Sequence, residues 1–341
     1  MRAAERRPPR PRRHASQRGY VLVTVLAALA LLAVVAARLD ARVADVVSAV
    51  DLWGQRIQAE RELAGARDAA LFSMMTRPLG PLGFGSGSAL LRVDGRHYAL
   101  PNGVQLSLQD ERGLISVAYP QAQVLRDWLR LQGVPEADID RLTDALADYS
   151  DLDPLRRLNG AEAPEYRAAG LPPPRNDWPL SAHELRTVFG WHERPAQVAA
   201  IARDGTAVRD GWVNPNTAPP GVLRALPAAT DQGVQQLLAL REQRAFASAA
   251  EVQAVSGIVV PDDPVSFHPG VFYRLRLWKP GVPGAVEYSV MFVPDAPLQP
   301  WLILETRQIP TPLPLHDASE ATAFAPDAPA PVALVDGHTA D

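Results

Sequence analysis

An uncharged apolar stretch near the N-terminus decides the fold. Residues 20–37 read YVLVTVLAALALLAVVAA, and Thr24 is the only clearly polar residue among them. In a helix, this stretch is about 27 Å long, which matches the hydrocarbon thickness of a bilayer. Residues 1–19 contain seven arginines and one acid, Glu5, and a basic flank of this kind stays in the cytoplasm. The sequence therefore predicts one membrane-spanning helix followed by an exported C-terminal part.

Two other interpretations of this stretch stay open on the residues alone. A cleaved secretory signal has the same basic-then-apolar order, but its apolar core is usually about 7–15 residues long and ends in a small-residue cleavage site. Here residues 38–50 read RLDARVADVVSAV, which continues the helical pattern without a turn. An uncleaved anchor helix is the second alternative.

Residues 38–75 extend the predicted helix beyond the apolar stretch. They contain no proline. Their apolar residues recur at spacings that place them on one stripe, and these residues are Val43, Val46, Val47, Val50, Trp53, Ile57, Leu63 and Phe72. Pro78 and the Gly/Ser-rich segment 80–88 then end a helix of about 50 residues.

Two groups of predicted strands follow the helix. In the first group, segments 89–93 and 97–100 flank Asp94-Gly95, which is a favoured two-residue hairpin turn. Short apolar or alternating runs predict the other strands at 103–109, 114–117, 271–278, 286–293 and 301–307.

Residues 121–265, between these two groups, have the helical period. Within this block, Ser181 and Glu184 predict a capping box for a helix over 180–189, and Thr217 predicts the cap of a later helix. A helical block between two groups of strands indicates an insertion into a small α+β domain.

The segment after Val213 resembles one half of a helix-hairpin-helix. DNA-binding examples use a glycine hairpin whose backbone N–H groups contact phosphate. Here residues 227–231 read PAATD, so glycine is absent and Asp231 stands where a phosphate would lie. We therefore expect a packing module and no nucleic-acid partner, in agreement with the net charge of −4.

Composition excludes several kinds of site. The chain has 341 residues and no cysteine, so disulfides, thiolate metal sites and cysteine nucleophiles are ruled out. The seven histidines are scattered, and neither His183-Glu184 nor His192-Glu193 has a second histidine at metal-ligand spacing. The sequence contains neither a Gly-x-Ser-x-Gly motif nor a phosphate-binding glycine loop. We therefore do not expect an enzyme.

An acidic run at 148–153 is the best candidate for a ligand site. Asp148, Asp151 and Asp153 cannot share one helix face, because the last two are only two residues apart. They fit a helix end that enters a loop, where converging oxygens suit Ca²⁺, a hard cation with six to eight oxygen ligands. The spacing differs from that of an EF-hand loop. A solvated acidic loop that turns at Asn159-Gly160 is the alternative left open.

The junction before the apolar stretch resembles that of a known family. A basic leader that ends in glycine before an apolar helix resembles the site of a prepilin peptidase, and here it reads QRG before YVLVT in residues 17–24. The resemblance implies cleavage after Gly19 and an N-methylated Tyr20. Most pilin-like subunits have glutamate as the fifth mature residue, where this chain has Thr24. The chain thus resembles the K class of minor pseudopilins of type II secretion systems. Members of this class lack the acid, and a subunit without it fits a position at the filament tip.

The acidic run extends this resemblance. Residues 148–153 read DYSDLD and are followed by Asn159-Gly-Ala-Glu162 and Tyr166, a pattern similar to the signature of the K-class helical domain, itself similar to a known calcium-binding module. The match is partial, because members often have tryptophan where Tyr149 stands. The resemblance implies bound Ca²⁺, with carboxylate ligands from Asp148, Asp151, Asp153 and Glu162 and a carbonyl from Asn159.

The resemblance covers about residues 15–310 and implies an α+β fold. This fold has an N-terminal transmembrane and long amphipathic helix, a small pilin-like antiparallel sheet domain and a large inserted all-helical, SAM-like domain. The expected parts are a basic prepilin leader (1–19), the transmembrane and periplasmic long helix (20–76), the first part of the pilin-like domain (77–120), the inserted helical domain (121–265), the second part of the pilin-like domain (266–310) and a Pro/Ala/Asp-rich disordered tail (311–341).

The function implied is that of a structural subunit at the tip of the type II secretion pseudopilus, where it initiates or caps assembly for protein export from the periplasm. The expected partners are the I- and J-class minor pseudopilins, the major pseudopilin and the prepilin peptidase, with exported proteins as further candidates. The expected location is the inner membrane, with a cytoplasmic N-terminus and a periplasmic C-terminal domain. The alternatives are a membrane-anchored periplasmic binding module unrelated to secretion and an exported enzyme with an uncleaved anchor.

Overall fold

The computed structural model describes residues 18–209, 212–261, 263, 267–296, 299–311 and 322–323. The chain forms two compact units, Met1–Glu60 and Arg61–Asp341. The prepilin leader expected at 1–19 and the disordered tail expected at 311–341 lie outside the described residues, apart from positions 18, 19, 311, 322 and 323.

One long helix, α1, runs from Arg18 to Thr76 and has 59 residues. It ends just before Pro78, as the sequence predicts. In the described part of the chain, it is the one helix long and apolar enough to cross a membrane, with a mean hydropathy of 2.7 over an 18-residue window in which no residue is buried. Its apolar side chains from Tyr20 to Ile57 are exposed, for example Tyr20 by 77% and Trp53 by 68%. Such a surface suits contact with lipid or with neighbouring helices.

One larger sheet and several short strands follow α1. In chain order, the strands are β1 (Leu79–Gly80), β2 (Gly83–Phe84), β3 (Leu91–Arg92), β4 (Asp94–Ala99), β5 (Gln105–Asp110), β6 (Ile115–Ser116), β7 (Gly205–Thr206), β8 (Phe272–Trp278), β9 (Ala285–Phe292), β10 (Trp301–Ile309) and β11 (Thr322–Ala323). The larger sheet has the order β10-β9-β8-β5-β4-β11 and is antiparallel except between β4 and β11. Strands β5 and β8 are neighbours although the helical block separates them in sequence.

The helical block lies between β6 and β8. It contains α2 (Ala122–Leu131), α3 (Glu136–Ser150), α4 (Ala163–Ala168), α5 (Pro195–Asp204), α6 (Pro220–Leu223), α7 (Asp231–Arg241) and α8 (Ala249–Ser256), together with a 3₁₀ helix at Ala182–Thr187. A long N-terminal helix, antiparallel strands and a set of shorter helices confirm the predicted α+β fold class.

The sheet and the helical block have separate hydrophobic cores. Leu71 and Met74 of α1 pack with strand residues such as Leu106 and Leu275 in the first core. The second core lies within the helical block, where Trp128 is fully buried. Each layer of secondary structure thus buries its own apolar face.

The hairpin predicted over residues 89–100 is wrong. Asp94-Gly95 lies inside β4, which pairs with β5, whereas β3 pairs with β2. The register between β4 and β5 shifts after Asp94, and Gly95 has a φ of +81°. Glycine therefore forms a bulge at this position, where the sequence pattern favoured a turn.

Two predicted helix caps are wrong as well. The segment 180–189 contains a short 3₁₀ helix, and the Ser181 side chain makes no capping bond. The Thr217 hydroxyl donates to Asp110 Oδ2 at 2.7 Å and does not cap α6. A side-chain bond to a distant strand has replaced the local bond in the second case.

Candidate functional site

The first turns of α1 hold the residues expected at the processing site. Gly19 lies in the first turn, followed by the exposed Tyr20. The Thr24 hydroxyl contacts two backbone carbonyls of its own helix, those of Tyr20 at 3.2 Å and Val21 at 2.9 Å. Its donor is therefore satisfied within the helix, and this position carries no charge that needs a partner.

The acidic loop, residues 148–162, begins on the last turn of α3. Asp148 is fully buried, and Asp151 follows the helix as its C-terminal cap residue. The prediction that these acids lie at a helix end entering a loop is thus confirmed. The chain returns to Asp148 at Gly160, where a Cβ atom would lie 1.9 Å from Asp148 Oδ2. Glycine at position 160 therefore permits close packing on a buried carboxylate.

Glu162 ends the loop at the start of α4. Glu165 Oε2 accepts the Glu162 N–H at 3.0 Å in a capping box. The Glu162 residue is only 4% exposed. Its Oε1 atom is buried without a hydrogen-bond partner, as is Asp151 Oδ1. Buried carboxylate oxygens without donors destabilise the fold unless a cation or a proton meets them.

Negative charge in the acidic loop exceeds positive charge. Burial raises the pKa of Asp148, Asp151 and Glu162. Repulsion from neighbouring carboxylates raises each pKa further, and Asp153 contributes at Asp151 and Glu162. Arg157 supplies a positive charge, with Nε 3.3 Å from Asp148 Oδ1 and Nη2 3.4 Å from Asp151 Oδ2. One guanidinium therefore faces several carboxylates, and this chemistry suits a hard cation such as Ca²⁺.

The predicted ligands are only partly brought together. Among the residues that the structure describes, no group of three or more Asp, Glu or His has the arrangement of a formed metal site. Asp153 Oδ1 accepts the Leu155 N–H at 2.9 Å. The Asn159 side chain donates to Asp144 Oδ2 at 3.0 Å, outside the cluster. Carboxylate and carbonyl oxygens are the ligand atoms that calcium prefers. The assignment of these residues as calcium ligands stays a prediction.

A second buried carboxylate, Asp110, lies where β5 meets the helical block. Its Oδ2 accepts bonds from Thr217 Oγ1 at 2.7 Å and Asn214 Nδ2 at 3.2 Å. Its Oδ1 accepts the N–H groups of Gly270 at 3.0 Å and Arg112 at 3.1 Å. Burial raises the pKa of Asp110 to about 6, and the bonds from its donors oppose this shift. Both of its oxygens are thus satisfied by the protein.

Two further side chains complete this network, which we call the polar seam (Asp110, Asn214, Asn216, Thr217 and Arg241). Asn216 Nδ2 donates to the carbonyls of Phe246 at 2.9 Å and Phe267 at 2.8 Å, and its Oδ1 accepts the Phe246 N–H at 2.8 Å. Arg241 Nη1 donates to the carbonyls of Pro215 at 3.2 Å and Ala218 at 2.7 Å. Sequence reasoning missed the polar seam, although the polar run 214–217 between apolar residues was a signal for it.

A cavity of about 790 Å³ lies beside β8, β9 and β10. Its buried charges bind other protein groups. Glu287 Oε2 is 2.7 Å from Arg276 Nε, and Arg274 Nη2 donates to the Gly205 carbonyl at 2.7 Å. We infer that these charged groups stabilise the walls of the cavity.

Two family models match the chain in consecutive segments. Both are described as type II secretion system (T2SS), protein K, and they match residues 105–201 and 213–265. The first segment contains the acidic loop, and the second contains the polar run of the seam. The chain belongs to the type II secretion system protein K family. It is therefore a minor pseudopilin with a role in type II secretion, as the resemblance at the junction and the acidic loop implied.

A solved structure is also similar to this protein K family member. It is described as the crystal structure of the GspK–GspI–GspJ complex from the enterotoxigenic Escherichia coli type 2 secretion system. The matching chain is 18% identical, and the match covers 75% of this chain and 98% of that chain with a TM-score of 0.46. No curated protein matches this chain.

Proposed function

We propose that this minor pseudopilin stands at the tip of the pseudopilus, where it initiates or caps assembly as a structural subunit and not as an enzyme. Its proposed partners are the I and J classes of minor pseudopilin, the classes named in the complex above, together with the major pseudopilin below them. Exported proteins that reach the tip are further proposed partners.

The observation that carries the tip position is the chemistry at Thr24. A carboxylate at the fifth mature position can pair with the amino terminus of a neighbouring subunit, which offsets the cost of burying both charges in the membrane. Thr24 has no charge, and its hydroxyl bonds to carbonyls of its own helix. A subunit with this residue needs no neighbour above it, and such a subunit fits the end of a filament.

The proposal includes processing and location. A prepilin peptidase cleaves after Gly19, and Tyr20 becomes the N-methylated first residue. The apolar residues 20–37 then stay in the mature protein as a single span of the inner membrane. The arginine-rich leader is consistent with a cytoplasmic N-terminus and a periplasmic C-terminal part.

The proposal also includes calcium in the acidic loop. Asp148, Asp151, Asp153 and Glu162 would hold the ion, with a carbonyl from Asn159. A bound calcium ion would supply positive charge that balances the excess of carboxylates. The unpartnered oxygens of Asp151 and Glu162 support this assignment.

The tip position can be tested by substitution at position 24. In cells that overproduce surface pseudopili, immunogold labelling should place the wild-type subunit at filament ends. Thr24→Glu restores the usual acid, so we expect label along the filament as well. Thr24→Val is the matched control and should keep the label at the ends. Wild-type label along the whole filament would refute the tip position, and end-only label for Thr24→Glu would show that Thr24 does not determine it.

A further inference from the structure

Arg157 makes an unusual set of contacts within the acidic loop. Its backbone N–H lies 3.3 and 3.2 Å from the two oxygens of Asp148. Its guanidinium contacts Asp148 at 3.3 Å and Asp151 at 3.4 Å. The positive charge therefore lies between two of the carboxylates to which we assign calcium.

The guanidinium satisfies the carboxylates only in part. With Arg157 in place, Asp151 Oδ1 and Glu162 Oε1 are still buried and without a partner. Arg157 is also half exposed, at 50% of its side-chain surface. A side chain with this much access to solvent can leave the cluster without breaking the packing around it.

Calcium and the Arg157 guanidinium compete for the carboxylates of Asp148 and Asp151. Calcium takes six to eight oxygen ligands at about 2.3–2.6 Å, and an ion bound in this way to Asp148 and Asp151 would lie against the guanidinium. Two cations at such a short distance repel each other strongly, above all next to a buried group. Binding of the ion therefore requires the guanidinium to move away.

The neighbouring Arg156 provides a natural comparison. Its Nη1 lies 3.2 Å from Glu165 Oε1, and its side chain is 52% exposed. The two arginines are adjacent in sequence and equally exposed, but the Arg156 ion pair is with Glu165 and not with the carboxylates assigned to calcium.

We propose that Arg157 is an internal counter-cation that calcium must displace, and that it sets the calcium concentration at which the acidic loop responds. The inference rests on the calcium site of the proposed function. In the calcium-free protein, Arg157 limits the repulsion between Asp148 and Asp151. In the calcium-bound protein, the ion replaces it and the guanidinium turns to solvent.

The test is calcium titration of the full chain in detergent micelles by calorimetry, at fixed ionic strength. Arg157→Gln should bind calcium about tenfold more tightly than the wild type, because the ion no longer displaces a competing charge. Arg157→Lys keeps the charge but lacks the planar, forked guanidinium and has a shorter side chain, so its affinity should lie between those two. Arg156→Gln removes an adjacent charge and should change the affinity less than about threefold.

A second readout separates competition from a general charge effect. Without calcium, Arg157→Gln should melt about 2–4 °C below the wild type, because the carboxylates lose a counter-cation, whereas Arg156→Gln should melt with the wild type. Equal or weaker calcium binding by Arg157→Gln, or equal tightening by Arg156→Gln, would overturn the role of Arg157 and leave the calcium site standing. Absence of calcium binding by the wild type and by Arg157→Gln would overturn both proposals.

Discussion

Two sites with buried carboxylates differ in what surrounds them. Asp110 accepts four hydrogen bonds from the protein, two on each oxygen. In the acidic loop, several carboxylates face one guanidinium, and buried oxygens of Asp151 and Glu162 have no donor. Every carboxylate oxygen of the first site has hydrogen-bond donors, whereas the carboxylates of the second site outnumber the cation that contacts them. Burial of an acid is therefore not by itself a sign of a metal, and unsatisfied oxygens are the more specific sign.

The comparison predicts the largest effect for Asp110→Ala. This substitution leaves four donors without an acceptor between the sheet and the helical block, so we expect the free energy of unfolding to fall by about 3–5 kcal/mol. Chemical denaturation of the full chain in detergent micelles measures the loss. Asp140→Ala is the control, because its exposed ion pair with Arg126 contributes less than about 1 kcal/mol. Equal effects of the two substitutions would contradict the structural role of Asp110.

Calcium should produce the next largest effect, and only through the acidic loop. At a concentration of about 100 times its Kd, a bound ion stabilises the folded state by about 2.7 kcal/mol. Thermal melting with calcium and with a chelator measures this difference. Asp151→Asn should remove most of the shift, while Asp140→Asn on the preceding helix α3 should keep it. A calcium shift of the same size in Asp151→Asn would remove that residue from the site.

Gly160→Ala should disturb the acidic loop by packing alone. The new methyl group would lie 1.9 Å from Asp148 Oδ2, so the loop must move, and we expect a loss of about 2 kcal/mol and a weaker calcium response. Gly65→Ala is the control, because no atom outside the adjoining turns of its own helix lies within 4 Å of its Cβ position and alanine favours the helix by up to about 1 kcal/mol. If Gly160→Ala has the melting temperature of the wild type and keeps the calcium response, close packing at this position is not required.

The smallest expected effect is a pH dependence of the calcium-free acidic loop. The pKa of Glu162 is raised in the folded state, so its contribution to stability is full at low pH and is lost as the pH rises through that pKa. With chelator present, the wild type should therefore lose stability relative to Glu162→Gln between pH 4 and pH 7, by less than about 1 kcal/mol. Melting of both proteins across this range measures the difference. A constant difference would show that Glu162 does not titrate in this way.

The sequence predicted the features that depend on local pattern. The long helix follows from an apolar stretch and a proline-free continuation, and it ends before Pro78. The strands predicted at 271–278, 286–293 and 301–307 match β8, β9 and β10 to within two residues at their ends. Periodicity and helix breakers act over a few residues, so they can be read without knowing the fold.

The sequence could not predict features that depend on distant partners. Asp94-Gly95 predicted a turn, but Gly95 forms a bulge where β4 pairs with β5. Thr217 was predicted to cap a helix, but its hydroxyl donates a hydrogen bond to Asp110. The acids of the loop were identified from their spacing, whereas the role of Arg157 required the distances to Asp148 and Asp151.

Mass spectrometry of the mature N-terminus shows directly whether this chain is processed as a pseudopilin and keeps its apolar helix. We expect that the purified protein begins at Tyr20, that its amino group carries a methyl group, and that residues 20–37 are present. A protein that begins beyond Ala37, or one that keeps the arginine-rich residues before Tyr20, would contradict it.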